Sequence, residues 1–385
     1  MAVCDVKKNS LSQYIAASTF THCFDGWNYV ARGVESLING DIGSCIHFLY
    51  YSELRAVMSI MACEGIGVFG KRHFYFNNSE DANFINGTTH VAAKELIESW
   101  STLDKKQTFF NVIKLNGHTL ENIAVAAGVS ANSAYRSTIL RDWLSKWSVD
   151  LKLSEDQTLR NEMSYRPHFS QEKVDSTDLL NKLVTIWQSL EPSTVANFSE
   201  LDRHLVRITL EVMYSMRTGK TPVGPKYIKF VKDVLQEIGE GKNKVLVKFL
   251  VREIIPDDHF ILTEAHKASL DNRIILNDPV PMLCRSILLL RLASGSVNSI
   301  FSKCYINSND LRFWWNSISL KQGIINDLDP DMETNDLYSD IRDSIDSIED
   351  KVEMGNSVKK NLDTISSEIN IIKQFQRTCF WGIGL

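Results

Sequence analysis

Apolar residues recur three and four positions apart over most of this chain, the spacing that lines one face of an α-helix. From Trp27 to Gly65 one stripe runs through Val30, Val34, Leu37 and Ile38 and stops at Asn39-Gly40-Asp41. It resumes through Ile42, Ile46, Leu49, Tyr50, Leu54, Val57, Met58 and Met61. The pattern predicts a helix, a short turn and a longer helix packed as a hairpin, with Gly65 as the C-terminal cap. The following IGVFGKRHFYF reads as an apolar connection or a short strand.

The same spacing predicts further helices. Thr88 or Thr89 can cap one carrying Val91, Leu96, Ile97 and Trp100. TLENIAVAAGVSANSAYRSTILRDWLSKW reads as helix, turn, helix, with Ala124, Gly128 and Val129 where a DNA-reading helix-turn-helix carries such residues. Ala134 and Ser137 stand where that motif has larger apolar anchors, so two core helices are the competing reading, and Arg136 would be the DNA contact. Two capped amphipathic helices follow, then a helical run from Lys226 that Pro256 breaks. PVPMLCRSILLLRLASGSV is the most apolar helix, with Arg285 and Arg291 read at its margins, and Trp314-Trp315 is a tandem suited to buried anchoring. Leu337, Ile341, Ile345, Ile348 and Val352, then Val358, Leu362, Ile365, Ile369 and Ile372, predict two further amphipathic helices, and the terminal CFWGIGL is expected to dock.

The expected fold is mainly α, built of helical bundles: an N-terminal hairpin domain over residues 1–172, a middle helical region with a basic face over 173–275, and a C-terminal bundle with an acidic amphipathic hairpin over 276–385.

Composition narrows this. With 44% hydrophobic and 23% charged residues in 385, the chain has the balance of a globular protein and enough length for two or three packed units. The net charge of -5 excludes a uniformly basic nucleic-acid binder, but the charge is uneven. Arg203–Arg252 holds eleven Lys/Arg against four Asp/Glu, and Asp327–Glu353 holds two against eleven. The first stretch can meet phosphate and the second would repel it. Seven cysteines lie apart with no Cys-x-x-Cys pair, which suggests neither a zinc site nor a disulfide framework and fits a reducing cytosol. No signal peptide or membrane span is read, so a cytoplasmic protein without membrane partner, metal or cofactor is expected.

Most signatures of chemistry are missing: no Gly-x-Ser-x-Gly elbow, no His-Glu-x-x-His, no dinucleotide fingerprint. RTGKTPVGPKY contains Gly219-Lys220-Thr221, but Tyr214 stands where a phosphate loop needs its first glycine. It reads as a turn, with Lys220, Lys226 and Lys229 as candidate nucleic-acid contacts. What remains is YYSELRA, with Glu53 and Arg55 beside Tyr50 and Tyr51, and LRNEMSYRPH, with Arg160, Asn161, Tyr165, Arg166 and His168.

The apolar helix, Gly-Asp turn and HFLYYSELRAVMSIMACEGI resemble the front hairpin of HEPN-type domains, and LRNEMSYRPH resembles their Arg-Asn…His segment. The likeness covers about the first 170 residues. It implies an all-helical, commonly dimeric protein of the kind that includes metal-independent RNases of bacterial toxin and phage-defence systems. Carried over, it puts Arg160 on a scissile phosphate, Asn161 in support and His168 as general acid or base, with Glu53, Arg55, Tyr165 and Arg166 around them. Guanidinium clamps phosphate oxygens, and imidazole titrates near neutral pH. Seven residues separate Arg160 from His168, against four to six in the family, and Pro167 disfavours a helix through that point. The pair would meet only if the loop folds back or a second protomer contributes. The competing reading is a polar staple, with Arg160 paired to Glu53 or Glu162 and Asn161 as a cap. Two functions therefore stand: a defence or toxin RNase acting on RNA as a homodimer or with a companion protein, or a catalytically silent helical protein that docks a partner protein or nucleic acid.

Overall fold

A computed structural model of the chain describes residues 8–70, 72–76, 81–103, 108–129, 133–146, 153–165, 176–193, 196–253, 259–267, 278–322, 334–353 and 364–384. The fold is mainly α with two small sheets. Helices α1 (Lys8–Ile38) and α2 (Ile42–Cys63) form the predicted hairpin. α1 starts far upstream of the first stripe read from sequence, because Ile15 and Phe24 continue its buried face. Between the two helices Gly40 takes φ 73°, a conformation open to glycine, and the Asp41 carboxylate accepts the Ser44 N–H at 3.0 Å.

The stretch after α2, read as an apolar connection or a short strand, opens a three-stranded antiparallel sheet of β1 (Ile66–Phe69), β2 (Arg72–Phe76) and β3 (Ala82–Ile85). In β2 the adjacent His73 and Phe74 are both buried and Tyr75 is exposed, so the strand does not follow a strict in–out alternation. α3 (Thr89–Thr102) follows, then a two-residue hairpin of β4 (Lys114–Leu115) and β5 (His118–Thr119) turning at Asn116-Gly117, both with positive φ. Helices α4 (Leu120–Ala126), α5 (Ser133–Lys146) and α6 (Leu153–Tyr165) complete the first part.

Beyond them lie α7 (Ser176–Ser189), α8 (Ser199–Thr218), α9 (Gly224–Glu237), α10 (Lys244–Leu250), α11 (Phe260–His266), α12 (Val280–Cys304), α13 (Arg312–Gln322), α14 (Thr334–Glu353), α15 (Ser366–Ile372) and α16 (Thr378–Ile383). The isoleucine and leucine stripe read from sequence is the buried face of α14, and the apolar C-terminal tip is docked as α16 with Phe380, Trp381 and Ile383 buried. Val358 and Leu362 lie outside the described residues, as does the Trp315 side chain. Trp314 packs edge-on against Phe20 and Phe24 of α1.

α12 is the axis of the molecule. Among the described residues it alone is long and apolar enough to cross a membrane, and its most apolar window is wholly buried inside the protein. It touches the hairpin through Ser286 Oγ, which donates to Leu49 O at 3.1 Å, and through Ser294 Oγ, which accepts the Trp27 indole N–H at 3.0 Å. One buried cluster runs through all three stretches distinguished in the sequence. Arg285 and Arg291, expected at the margins of α12, are instead fully buried and ion-paired. Arg291 binds Asp202 of α8 at 2.7 and 2.9 Å, and Arg285 binds Asp156 of α6 at 2.9 Å. A guanidinium can be carried on an apolar helix when a buried carboxylate meets it in bidentate geometry.

Candidate functional site

On one face of the hairpin α2 presents His47, Phe48, Tyr50 and Tyr51, and α6 lays Arg160 across the tyrosines. The Arg160 guanidinium carbon is 5.2 Å from the Tyr50 ring centre and 5.3 Å from that of Tyr51, within cation–π range. Its Nη1 donates to Asn161 Oδ1 at 2.9 Å and its Nη2 reaches the Tyr51 hydroxyl at 3.5 Å, while Nε is buried without a hydrogen-bond partner. No carboxylate pairs with Arg160 among the described residues. A half-buried guanidinium that meets no carboxylate among the described residues can take an anion from outside.

Two histidines complete the group. His90, at the start of α3, lies with Nδ1 2.6 Å from the Tyr50 hydroxyl, and the His47 ring centre is 5.0 Å from that of Tyr51. Burial, and then the Arg160 charge, holds both imidazoles below their ordinary pKa. Burial pushes the Tyr50 phenol up, with Arg160 opposing and Glu53 adding to the rise. Both groups are therefore uncharged at neutral pH, and in the tautomer that carries its proton on Nε2 His90 accepts the Tyr50 O–H at Nδ1.

One turn below, a buried triad places α6 on α2. Asp156 stands one turn before Arg160, and Glu53 one turn after Tyr50. Arg285 joins them from α12, with Nη2 at 2.9 Å from both Asp156 oxygens and Nε at 3.5 Å from Glu53 Oε1. Desolvation and the neighbouring Asp156 carboxylate raise the Glu53 pKa well above the ordinary value, and desolvation raises that of Asp156, so one guanidinium faces two carboxyl groups whose ionisation burial opposes.

The sequence-derived candidates are dispersed. Arg160 and Asn161 sit together in the site, and Glu53 lies beneath it. Arg160 pairs with neither Glu53 nor Glu162, the staple that competed with a functional reading. Arg55 is directed to α1 instead, where it meets His22 Nδ1 at 2.8 Å and Asp25 at 3.5 Å. Tyr165 is 83% exposed at the end of α6. Arg166 and His168 lie outside the described residues. Lys220, Lys226 and Lys229 are all exposed beyond the left-handed Gly219 cap of α8 and on α9. Arg136, the candidate DNA contact, is buried against Glu121 in an ion pair, and Ser137 beside it is buried too, so α5 turns this side into the protein. His47 and His90 were missed. His47 stands three residues before Tyr50 in HFLYY, a spacing that puts both on one helix face; nothing near His90 in sequence signals its partner.

A second polar group joins Glu200 and His204 of α8 to His259, with ligand atoms within 4.8 Å of one another, the one such grouping among the described residues that could hold a cation. Its hydrogen bonds are largely closed already. Glu200 Oε1 accepts from His204 Nε2 at 3.2 Å; His259 Nδ1 accepts the Ile261 N–H at 3.2 Å, so its Nε2 carries the proton offered to Ser189 Oγ at 3.0 Å. The Ile261 cap thus removes the lone pair a cation would need from Nδ1, and the proton occupies Nε2.

Compared with protein families, curated proteins and solved structures, the chain matches none.

Proposed function

We propose that this chain is a ribonuclease of a bacterial defence or toxin system, acting in the cytoplasm, with its chemistry at Arg160, His47, Tyr50 and His90. The observation that carries this reading is a guanidinium with no carboxylate partner among the described residues, set among two imidazoles held below their ordinary pKa and a phenol. In the proposed reaction Arg160 binds a phosphodiester and His47 takes the proton of the ribose 2′-hydroxyl. The 2′-oxygen bonds to phosphorus and the bond from phosphorus to the 5′-oxygen breaks. His90 gives its Nε2 proton to the leaving oxygen while Nδ1 receives the Tyr50 proton, so the products are a 2′,3′-cyclic phosphate and a 5′-hydroxyl; the protonated His47 and the Tyr50 phenolate left behind return to their starting states by losing a proton to water and taking one from it. Charge develops on the phosphoryl oxygens beside Arg160, where it is strongest felt in a partly desolvated site. Asn161 keeps the guanidinium oriented. A homodimer, or a companion protein, would complete the site if His168 enters it.

The test is cleavage of single-stranded RNA, with the new ends analysed for cyclic phosphate. Arg160→Ala and His90→Asn are expected to slow cleavage by about 100-fold or more. Equal rates in wild type and both variants refute the assignment; loss only in His168→Ala moves the acid–base role to that residue.

A second reading, a protein that docks nucleic acid without cutting it, is favoured by Lys220, Lys226 and Lys229, which are exposed and have no acidic partner among the described residues. It predicts salt-sensitive RNA binding and no new ends.

A further inference from the structure

The aromatic surface does not stop at Arg160. Tyr29 of α1 lies nearly parallel to Tyr51 at 5.6 Å and to Phe48 at 6.2 Å, with an interplanar angle of 29° in each case. His47 closes the gap, edge-on to Phe48 at 5.7 Å and tilted to Tyr51 at 5.0 Å. All four rings are half-buried, so they reach solvent together. At the far end Arg32, which is exposed, holds its guanidinium 5.9 Å from the centre of the Phe48 ring. Neither Arg32 nor Arg160 has a carboxylate partner among the described residues. The strip therefore runs cation, ring, ring, ring, cation along the α1–α2 hairpin.

We propose that Tyr29, Phe48 and Tyr51 form a nucleobase subsite, on which an unpaired base beside the phosphate at Arg160 stacks while Arg32 meets the next phosphate. This rests on the reading of Arg160 as an RNA phosphate site. The physical case is the match of chemistry. A protein partner would seal an apolar strip with apolar residues and leave two guanidinia needing acids, whereas a nucleotide chain alternates flat π-faces with anions. Aromatic faces take any base, and guanidinia at both ends take the flanking phosphates. A paired base has both faces covered by its neighbours, so the subsite selects single strands. Tyr29 and Phe48 are then specificity-determining residues; neither carries a proton in the reaction, although Phe48 packs against His47.

The experiment measures binding without cleavage. A fluorescent single-stranded 2′-O-methyl oligoribonucleotide, which has no 2′-hydroxyl to attack, is titrated with the full chain beside the same strand with abasic residues and the same strand annealed as a duplex. Intact single strand is expected to bind about ten-fold or more tightly than the abasic strand and the duplex. Tyr29→Leu and Phe48→Leu, which keep apolar bulk on the hairpin, are expected to weaken intact-strand binding by about ten-fold and to leave abasic-strand binding unchanged. Equal affinity for intact and abasic strands overturns the subsite, and that comparison needs only the wild-type protein. A strip that instead joins two copies would reveal itself as a dimer in sedimentation that Tyr29→Leu dissociates, and this too overturns it. If unmodified RNA is cut but base removal changes nothing, the subsite falls and the ribonuclease stands; if stacking is seen and no RNA is cut, the reverse holds.

Discussion

The Tyr50 hydroxyl lies 2.6 Å from Nδ1 of His90, forty positions further along the chain, and joins α2 to α3 by a single proton. Because burial raises the phenol and lowers the imidazole, the proton stays on Tyr50 in the resting protein and moves only as His90 gives up its own. Tyr50→Phe keeps the ring under Arg160 and removes only that proton. Cleavage should fall by about 100-fold or more with the melting temperature little changed. A variant that cuts RNA as fast as wild type would remove Tyr50 from the relay.

Arg160 lowers the pKa of both His47 and His90 after burial has done so. Arg160→Gln removes that charge, so both imidazoles should titrate at higher pH, and the acid limb of any remaining cleavage should move up with His47. Proton NMR of the two imidazole rings reads this without reference to activity. Unmoved titrations would mean that Arg160 does not sit over the tyrosines in solution.

Glu53 gives a signed stability prediction. Burial and the neighbouring Asp156 carboxylate raise its folded-state pKa well above the ordinary value of about 4.5, so the native protein binds more protons than the unfolded chain once the pH exceeds that value. Its contribution to stability is fully present below about 4.5 and is lost as the pH rises toward the folded-state pKa. Glu53→Gln, which keeps the shape and carries no titrating proton, should flatten that decline. Urea unfolding at mildly acidic and mildly alkaline pH distinguishes the outcomes; an unchanged slope would mean that Glu53 is not desolvated.

Arg285 faces two buried carboxyl groups and also donates to the carbonyls of Ala265 and Lys267 at 3.2 and 3.0 Å. Arg285→Met leaves these groups unpaired and should cost about 3–5 kcal/mol in denaturant unfolding. Adding Asp156→Asn and Glu53→Gln should restore part of that loss, since neutral amides have no charge to strand. A cost below about 1 kcal/mol for the single change would place the triad in water.

His259 works in the opposite direction. Burial, then the adjacent His204, lowers its pKa to about 4, so below about 6.5 the unfolded chain binds a proton that the folded one refuses. Stability from this residue is present above 6.5 and falls toward pH 4, by up to about 3 kcal/mol. His259→Asn should lessen the acid-side decline in melting temperature; a parallel decline in both proteins would sink the prediction.

By itself the sequence determined the helices, because a 3.6-residue period is written into any amphipathic helix whatever it packs against. It determined the α1–α2 turn through Gly40 and Asp41, the buried stripe of α14 and the docked C-terminal tip, all local matters of spacing and capping. It also singled out Arg160 and Asn161. Only the tertiary structure decided what these residues meet. That Arg160 faces Tyr50 and Tyr51 across 109 positions, that His90 meets Tyr50, and that Arg285 lies fully buried against Asp156 at a separation of 129 are products of helix packing, on which a linear period is silent. Of the β-structure, only a short strand after α2 was offered, as one of two readings, since strands of two to five residues carry too few positions to display a period.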